Sequence, residues 1–99
     1  MLICDLHVHT NFSKDCESSV EDILKAAEAA GLDAIAITDH DSVDGAKKAL
    51  GCKTSVLVIP GIEVTTKQGH LLVLGVTEVI PSGLDVVDTI EIAKKMGAL

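Results

Sequence analysis

Apolar runs that alternate with helical segments leave this chain few options besides a layered α/β fold. Residues 1–8 (MLICDLHV), 34–38 (AIAIT) and 55–59 (SVLVI) read as strands. Between the first two lies VEDILKAAEAA, with Ile23, Leu24, Ala27 and Ala30 on one helical face and Gly31 at the C′ position. Ser18 or Ser19 offers its N-cap, with Glu21 and Asp22 three residues on. A short helix is expected in DSVDGAKKAL, again followed by a glycine, Gly51. Pro60-Gly61 should stop the third strand, and residues 62–66 (IEVTT) and 70–76 (HLLVLGV) read as two more, joined by a tight Lys67-Gln68-Gly69 turn. After a Pro81-Ser82-Gly83 loop, DVVDTIEIAKKM closes the pattern as a last helix. Strand, helix, strand, helix, strand with continuous apolar strands predicts βαβ units around a parallel sheet.

Composition narrows the chemistry. An apolar share of 47% in 99 residues excludes a disordered polar chain and suits one small domain or part of a larger one. No apolar stretch approaches the roughly 20 residues of a membrane helix, and no charged leader precedes one, so a cytoplasmic, non-membrane protein is expected. Fifteen acidic residues against eight basic ones give a net charge of −7, and every basic residue is Lys. Such a surface repels a phosphate backbone, so a general nucleic-acid-binding surface is not expected. Cys4, Cys16 and Cys52 are odd in number and form no C-x-x-C pair, which points to reduced thiols rather than a disulfide framework.

Four histidines fall at the ends or edges of the apolar runs. In Asp5-Leu6-His7-Val8-His9, strand alternation puts Asp5, His7 and His9 on one face, and two imidazoles at i and i+2 are spaced to hold one ion. His40 follows the second strand, so it and the His7/His9 pair should converge where C-terminal strand ends form an active-site rim. Asp39 is a candidate supporting carboxylate, whereas Asp41 reads best as the N-cap of the short helix. Asp15 lies in the loop after the first strand. Glu63 sits between apolar Ile62 and Val64, where an unpaired buried carboxylate is costly and a cation would remove the cost. His70, taken alone, reads as a turn or edge residue. Imidazole with carboxylate favours Zn, Mn or Fe over Mg or Ca, and the number of such groups suggests more than one ion with Glu63 bridging. Phosphoester hydrolysis is the natural reaction class for such a cluster.

Asp-Leu-His-Val-His-Thr (5–10), Phe-Ser-Lys-Asp (12–15), Ile-Thr-Asp-His-Asp (37–41), Gly-Ile-Glu-Val-Thr (61–65) and Gly-His-Leu-Leu (69–72) occur in that order. The series resembles the N-terminal half of the PHP (polymerase and histidinol phosphatase) family of metal-dependent phosphoesterases. That resemblance implies a distorted (β/α)7 barrel with two or three divalent ions at the C-terminal strand ends. It implies hydrolysis of a small phosphorylated substrate, a phosphomonoester or phosphodiester, by a metal-activated water. It also implies that His7, His9 and Glu63 hold one ion, Glu63 and His70 a second, and Asp15 and His40 a third. The family's His-Pro motif and its second Asp-x-His motif, expected near the C-terminus, are absent, and at Gly97 a helix hands over to a strand that would start where Leu99 ends. Residues 1–99 are therefore expected to form a single partial domain with weak or no activity alone. Two alternatives stand beside this: a non-catalytic metal-binding module that self-associates through open barrel edges, and an amidohydrolase-type hydrolase, which also opens on a His-x-His strand. Lys14 and Lys67 lie near the expected rim and read as solvated surface.

Overall fold

A computed structural model describes all 99 residues. Its elements are β1 (Cys4–Val8), α1 (Val20–Ala29), β2 (Ala34–Ile37), α2 (Asp44–Leu50), β3 (Leu57–Thr66), β4 (Gly69–Leu74) and α3 (Val86–Lys95). The four strands form one sheet in the order β1-β2-β3-β4. A strand order that follows chain order without reversing is that of a barrel wall rather than of a doubly wound sheet. The fold is α/β, and its sheet is part of a (β/α) barrel. No helix is long and apolar enough to cross a membrane.

The caps explain the helix starts. Ser19 Oγ accepts the Asp22 N–H at 3.1 Å ahead of α1, and Asp85 accepts the Val87 N–H at 2.9 Å ahead of α3. Ahead of α2 the expectation fails. Its N-cap position is Val43, with no side-chain cap, and the Asp41 carboxylate accepts from Thr65 instead. The reason is local: Asp41 turns the chain with a positive φ of 50°, which aims its side chain back at β3.

Pro60-Gly61 does not end a strand. β3 runs through both residues, pairing parallel with β2 up to Pro60 and antiparallel with β4 from Gly61 onward. Proline stands at the change of partner, where a missing ladder donor costs least. Gly61 is required for closeness: a Cβ there would come within 2.6 Å of the Val73 carbonyl oxygen. The sheet is therefore mixed, parallel through its first three strands and antiparallel at β4.

β1 departs from simple alternation as well. Its register against β2 slips between Asp5 and Val8, which inserts one extra residue. Asp5 pairs beside Ile35, whose side chain belongs to the helix-side core, and it lines a shallow cleft there with Ile23 and Ala27. The expected shared face for Asp5, His7 and His9 is thus broken by the bulge. Asp5 meets the histidine pair only by accepting the His7 backbone N–H at 3.1 Å.

Helices and sheet meet in two apolar clusters. Val20, Leu24 and Ala27 of α1 pack on Ile35 and Ile37 of β2 and on Ala46 and Ala49 of α2. Val43, Ile62, Val64, Val73, Val76, Ile80 and Ala93 form the second, which includes one face of α3. Each fully buried Ile contributes about 1.5–3 kcal/mol. The opposite sheet face is less covered: Leu57, beside Ala34 in register, is 64% exposed, and Leu72, opposite Glu63, is 40% exposed. All three cysteines are free.

Candidate metal centre

Glu63 organises the site. Ile62 and Val64 face the helix side, so β3 alternation turns Glu63 to the other face, where it is nonetheless 6% exposed. Its Oε1 lies 2.7 Å from Nε2 of both His7 and His9 and 3.9 Å from His40 Nδ1. Its Oε2 lies 3.7 Å from His70 Nδ1. Asp15 reaches in from the loop after β1, with Oδ1 3.2 Å from His9 Nδ1 and Oδ2 3.0 Å from His40 Nε2. Each element delivers one part: β1 and its extension the His7/His9 pair, the segment after β2 His40, β3 Glu63, and β4 His70.

Burial pushes the Glu63 carboxyl up, but hydrogen bonds with His7 and His9 and the charges of His40 and His7 together hold it below its ordinary value. For Asp15, desolvation is likewise outweighed by the His40 hydrogen bond and the charges of His9 and His40, so its carboxyl also lies below the usual value. Both groups are ready acceptors for a cation at neutral pH.

Three overlapping triples could each hold an ion: His7, His9 and Glu63; His9, Asp15 and His40; His40, Glu63 and His70. Within each, the candidate ligand atoms all lie within 4.8 Å of one another. All six sequence-derived candidates are thus brought together, and His70 lies in β4 within 3.7 Å of Glu63 rather than in the turn. The grouping is denser than the resemblance implied, since His9 also faces Asp15 and His40 also faces Glu63. The donor set, imidazole nitrogen and carboxylate oxygen without thiolate, fits a divalent transition ion.

Asp39 supports the centre from below. It is 1% exposed and accepts from Thr10 N–H at 2.6 Å, Thr10 Oγ1 at 2.7 Å and Ser13 Oγ at 2.7 Å. Ser13 Oγ in turn accepts the His40 N–H at 2.9 Å. Asp39 touches no imidazole; it fixes the loop that carries Asp15 and, through Ser13, the backbone of His40. Sequence reasoning missed Thr10 and Ser13, and the available signal was two hydroxyl residues placed between the candidate ligands His9 and Asp15. Beside the centre lies a cleft of about 450 Å³ lined by Phe12, Lys14, Asp15, His40 and Asp41. Lys67 is elsewhere, on the β3–β4 turn, where its backbone N–H bonds Leu84 O at 2.8 Å.

A family model for the PHP domain matches residues 5–93. The chain belongs to the PHP domain family. It is 36% identical to an uncharacterized protein of Methanocaldococcus jannaschii, over 96% of this chain and 63% of that one. It is 37% identical to the phosphoribosyl 1,2-cyclic phosphate 1,2-diphosphodiesterase of Eggerthella lenta, over 82% of this chain and 34% of that one. Among solved structures, it superposes with a TM-score of 0.83 and 28% identity on a two-domain protein of Bacteroides vulgatus containing a predicted PHP-like metal-dependent phosphoesterase. That match covers 99% of this chain and 33% of the other. An amidohydrolase from Chromobacterium violaceum shares the fold, with a TM-score of 0.65 at 23% identity. The chain spans less than two thirds of the length of each of these curated relatives.

Proposed function

We propose that this chain is the metal-binding part of a hydrolase that cleaves a small phosphomonoester or phosphodiester. The observation that supports this most is the placement of Glu63, one carboxylate faced by four imidazoles, with Asp15 closing the far side. His7, His9, Asp15, His40, Glu63 and His70 would hold two or three divalent ions of Zn, Mn or Fe. Bound there, such ions supply Lewis-acid activation of water and positive charge for phosphoryl oxygens. The residues' own part is to fix that constellation: Asp39 and Ser13 hold His40, and the cleft at Phe12 and Lys14 leaves room for the ester beside it. The three free cysteines suit a reducing, cytoplasmic setting.

Metal analysis of the purified chain, together with hydrolysis of nitrophenyl phosphate in added Mn²⁺, tests the reading. At least one tightly held transition ion per chain is expected, with weak or no turnover by these residues alone. Any turnover must vanish in His9→Ala. A folded chain that takes up no divalent ion would sink the assignment.

A second reading is favoured by the exposed Leu57 and Leu72 on the sheet face. Here the chain is an interaction module that covers that face with a second copy. Gel filtration decides it, because a monomer at all concentrations refutes self-association.

A further inference from the structure

The strand partnership around Glu63 does not stop where β2 ends. The Glu63 N–H donates to Asp39 O at 3.0 Å, and the Asp41 N–H donates to Glu63 O at 2.9 Å. His40 and Glu63 are thereby bridged in parallel. In a continuing parallel ladder the next bond would run from the Thr65 N–H to the carbonyl of residue 41. Instead the chain turns away into α2 at Asp41, with φ at 50°. The Asp41 side chain takes the carbonyl's place: Oδ1 accepts the Thr65 N–H at 2.8 Å and Oδ2 accepts the Thr65 hydroxyl at 2.6 Å.

We propose that Asp41 is a positioning residue for the metal centre, its carboxylate standing in for a missing ladder acceptor so that β3 stays in register with His40. The inference rests on the metal-binding reading above. Thr65 lies two residues beyond Glu63 on the same face and directly opposite His70 across the β3–β4 pair. Fastening Thr65 therefore fixes the distances among His40, Glu63 and His70. That triple has the loosest contacts of the three, 3.9 Å and 3.7 Å, and so depends most on backbone register. His7 and His9 contact Glu63 directly at 2.7 Å and need the staple less. Few side chains satisfy both demands of this position. Aspartate and asparagine tolerate the left-handed backbone and carry the acceptor; glycine supplies only the first and alanine neither.

Titration of the whole chain with Co²⁺, followed by its visible absorption, tests this by resolving successive equivalents. In Asp41→Gly the last equivalent should weaken by about 10–100-fold, the usual effect of losing a group that orients a ligand, while the first changes little. Asp41→Asn should restore the wild-type titration, and Thr65→Val, which replaces the hydroxyl with a methyl and keeps the backbone N–H bond, should weaken the last equivalent by a smaller factor. If Asp41→Gly fails to fold, the asparagine and valine variants still decide. The proposal is overturned by equal weakening of every equivalent, by a valine variant identical to wild type, or by an asparagine variant as damaged as the glycine one. Absence of Co²⁺ uptake by the wild-type chain would instead overturn the metal reading, and this inference with it.

Discussion

Gly45, in the first turn of α2, stands so close to Asp39 that a Cβ there would collide with Oδ2 of the carboxylate. The same Cβ would meet Thr10 Oγ1, the donor that Asp39 Oδ2 accepts from. Helix and buried carboxylate are therefore built around the missing side chain.

Gly45→Ala tests that dependence. In an exposed helix the change would stabilise by roughly 0.5–1 kcal/mol. Here overpacking against a hydrogen-bonded carboxylate should reverse the sign and cost about 2–3 kcal/mol, read as a lower urea midpoint. An alanine variant as stable as wild type would show that Asp39 can move aside freely.

Ser13→Ala removes a different member of the same network. Ser13 is 4% exposed, and its hydroxyl donates to Asp39 and accepts the His40 N–H. Its loss leaves that N–H without its acceptor and Asp39 one donor short, at a cost of about 1–3 kcal/mol. Ser18→Ala, at an exposed position, should stay within about 0.5 kcal/mol. Equal urea midpoints for the two variants would refute the network.

The candidate ligands are not equivalent. His9 belongs to two of the three triples, whereas His7 and His70 belong to one each. An ion present at 100 times its dissociation constant stabilises by about 2.7 kcal/mol per site. The rise in Tm on adding Mn²⁺ should therefore shrink most in His9→Ala and less in His70→Ala. Identical rises in both variants would contradict the shared role of His9.

Much of this candidate centre was legible in the chain because its four histidines lie at or near strand ends. Apolar runs mark those ends, and His there has no packing reason to be present. Glu63 between Ile62 and Val64 carried the clearest signal, since only a partner justifies burying it. What escaped was set by neighbouring strands rather than by local sequence. The β1 bulge that sends Asp5 to the helix side exists only against β2. Pro60 continues a strand because β4 takes over the pairing at Gly61. Asp41 resembles a helix cap because it opens the DSVDGAKKAL segment, but α2 starts only at Asp44, after Val43, and Asp41, with φ at 50°, faces Thr65 instead. Thr10 and Ser13 left no hydropathy trace, because buried hydroxyls serving a carboxylate resemble an ordinary polar loop.

Acid should weaken the last helix through Asp85. The Val87 N–H and then the Gln68 side chain bond its carboxylate and, with the charge of Lys67, hold it below its ordinary value of 3.8 against a small desolvation. A carboxyl with a lowered folded-state pKa gives stability that is present above its unfolded value and lost as pH falls through the folded one. The unfolded chain binds the proton first, so acidification below about pH 4 favours unfolding. Asp85→Asn keeps a good N-cap but removes the titration. Wild type should therefore be the more stable at neutral pH and should lose that advantage progressively as pH falls below about 4, as followed by urea midpoints at successive pH values. A gap between the two proteins that stays constant across that window would mean that the Asp85 charge contributes nothing to the cap.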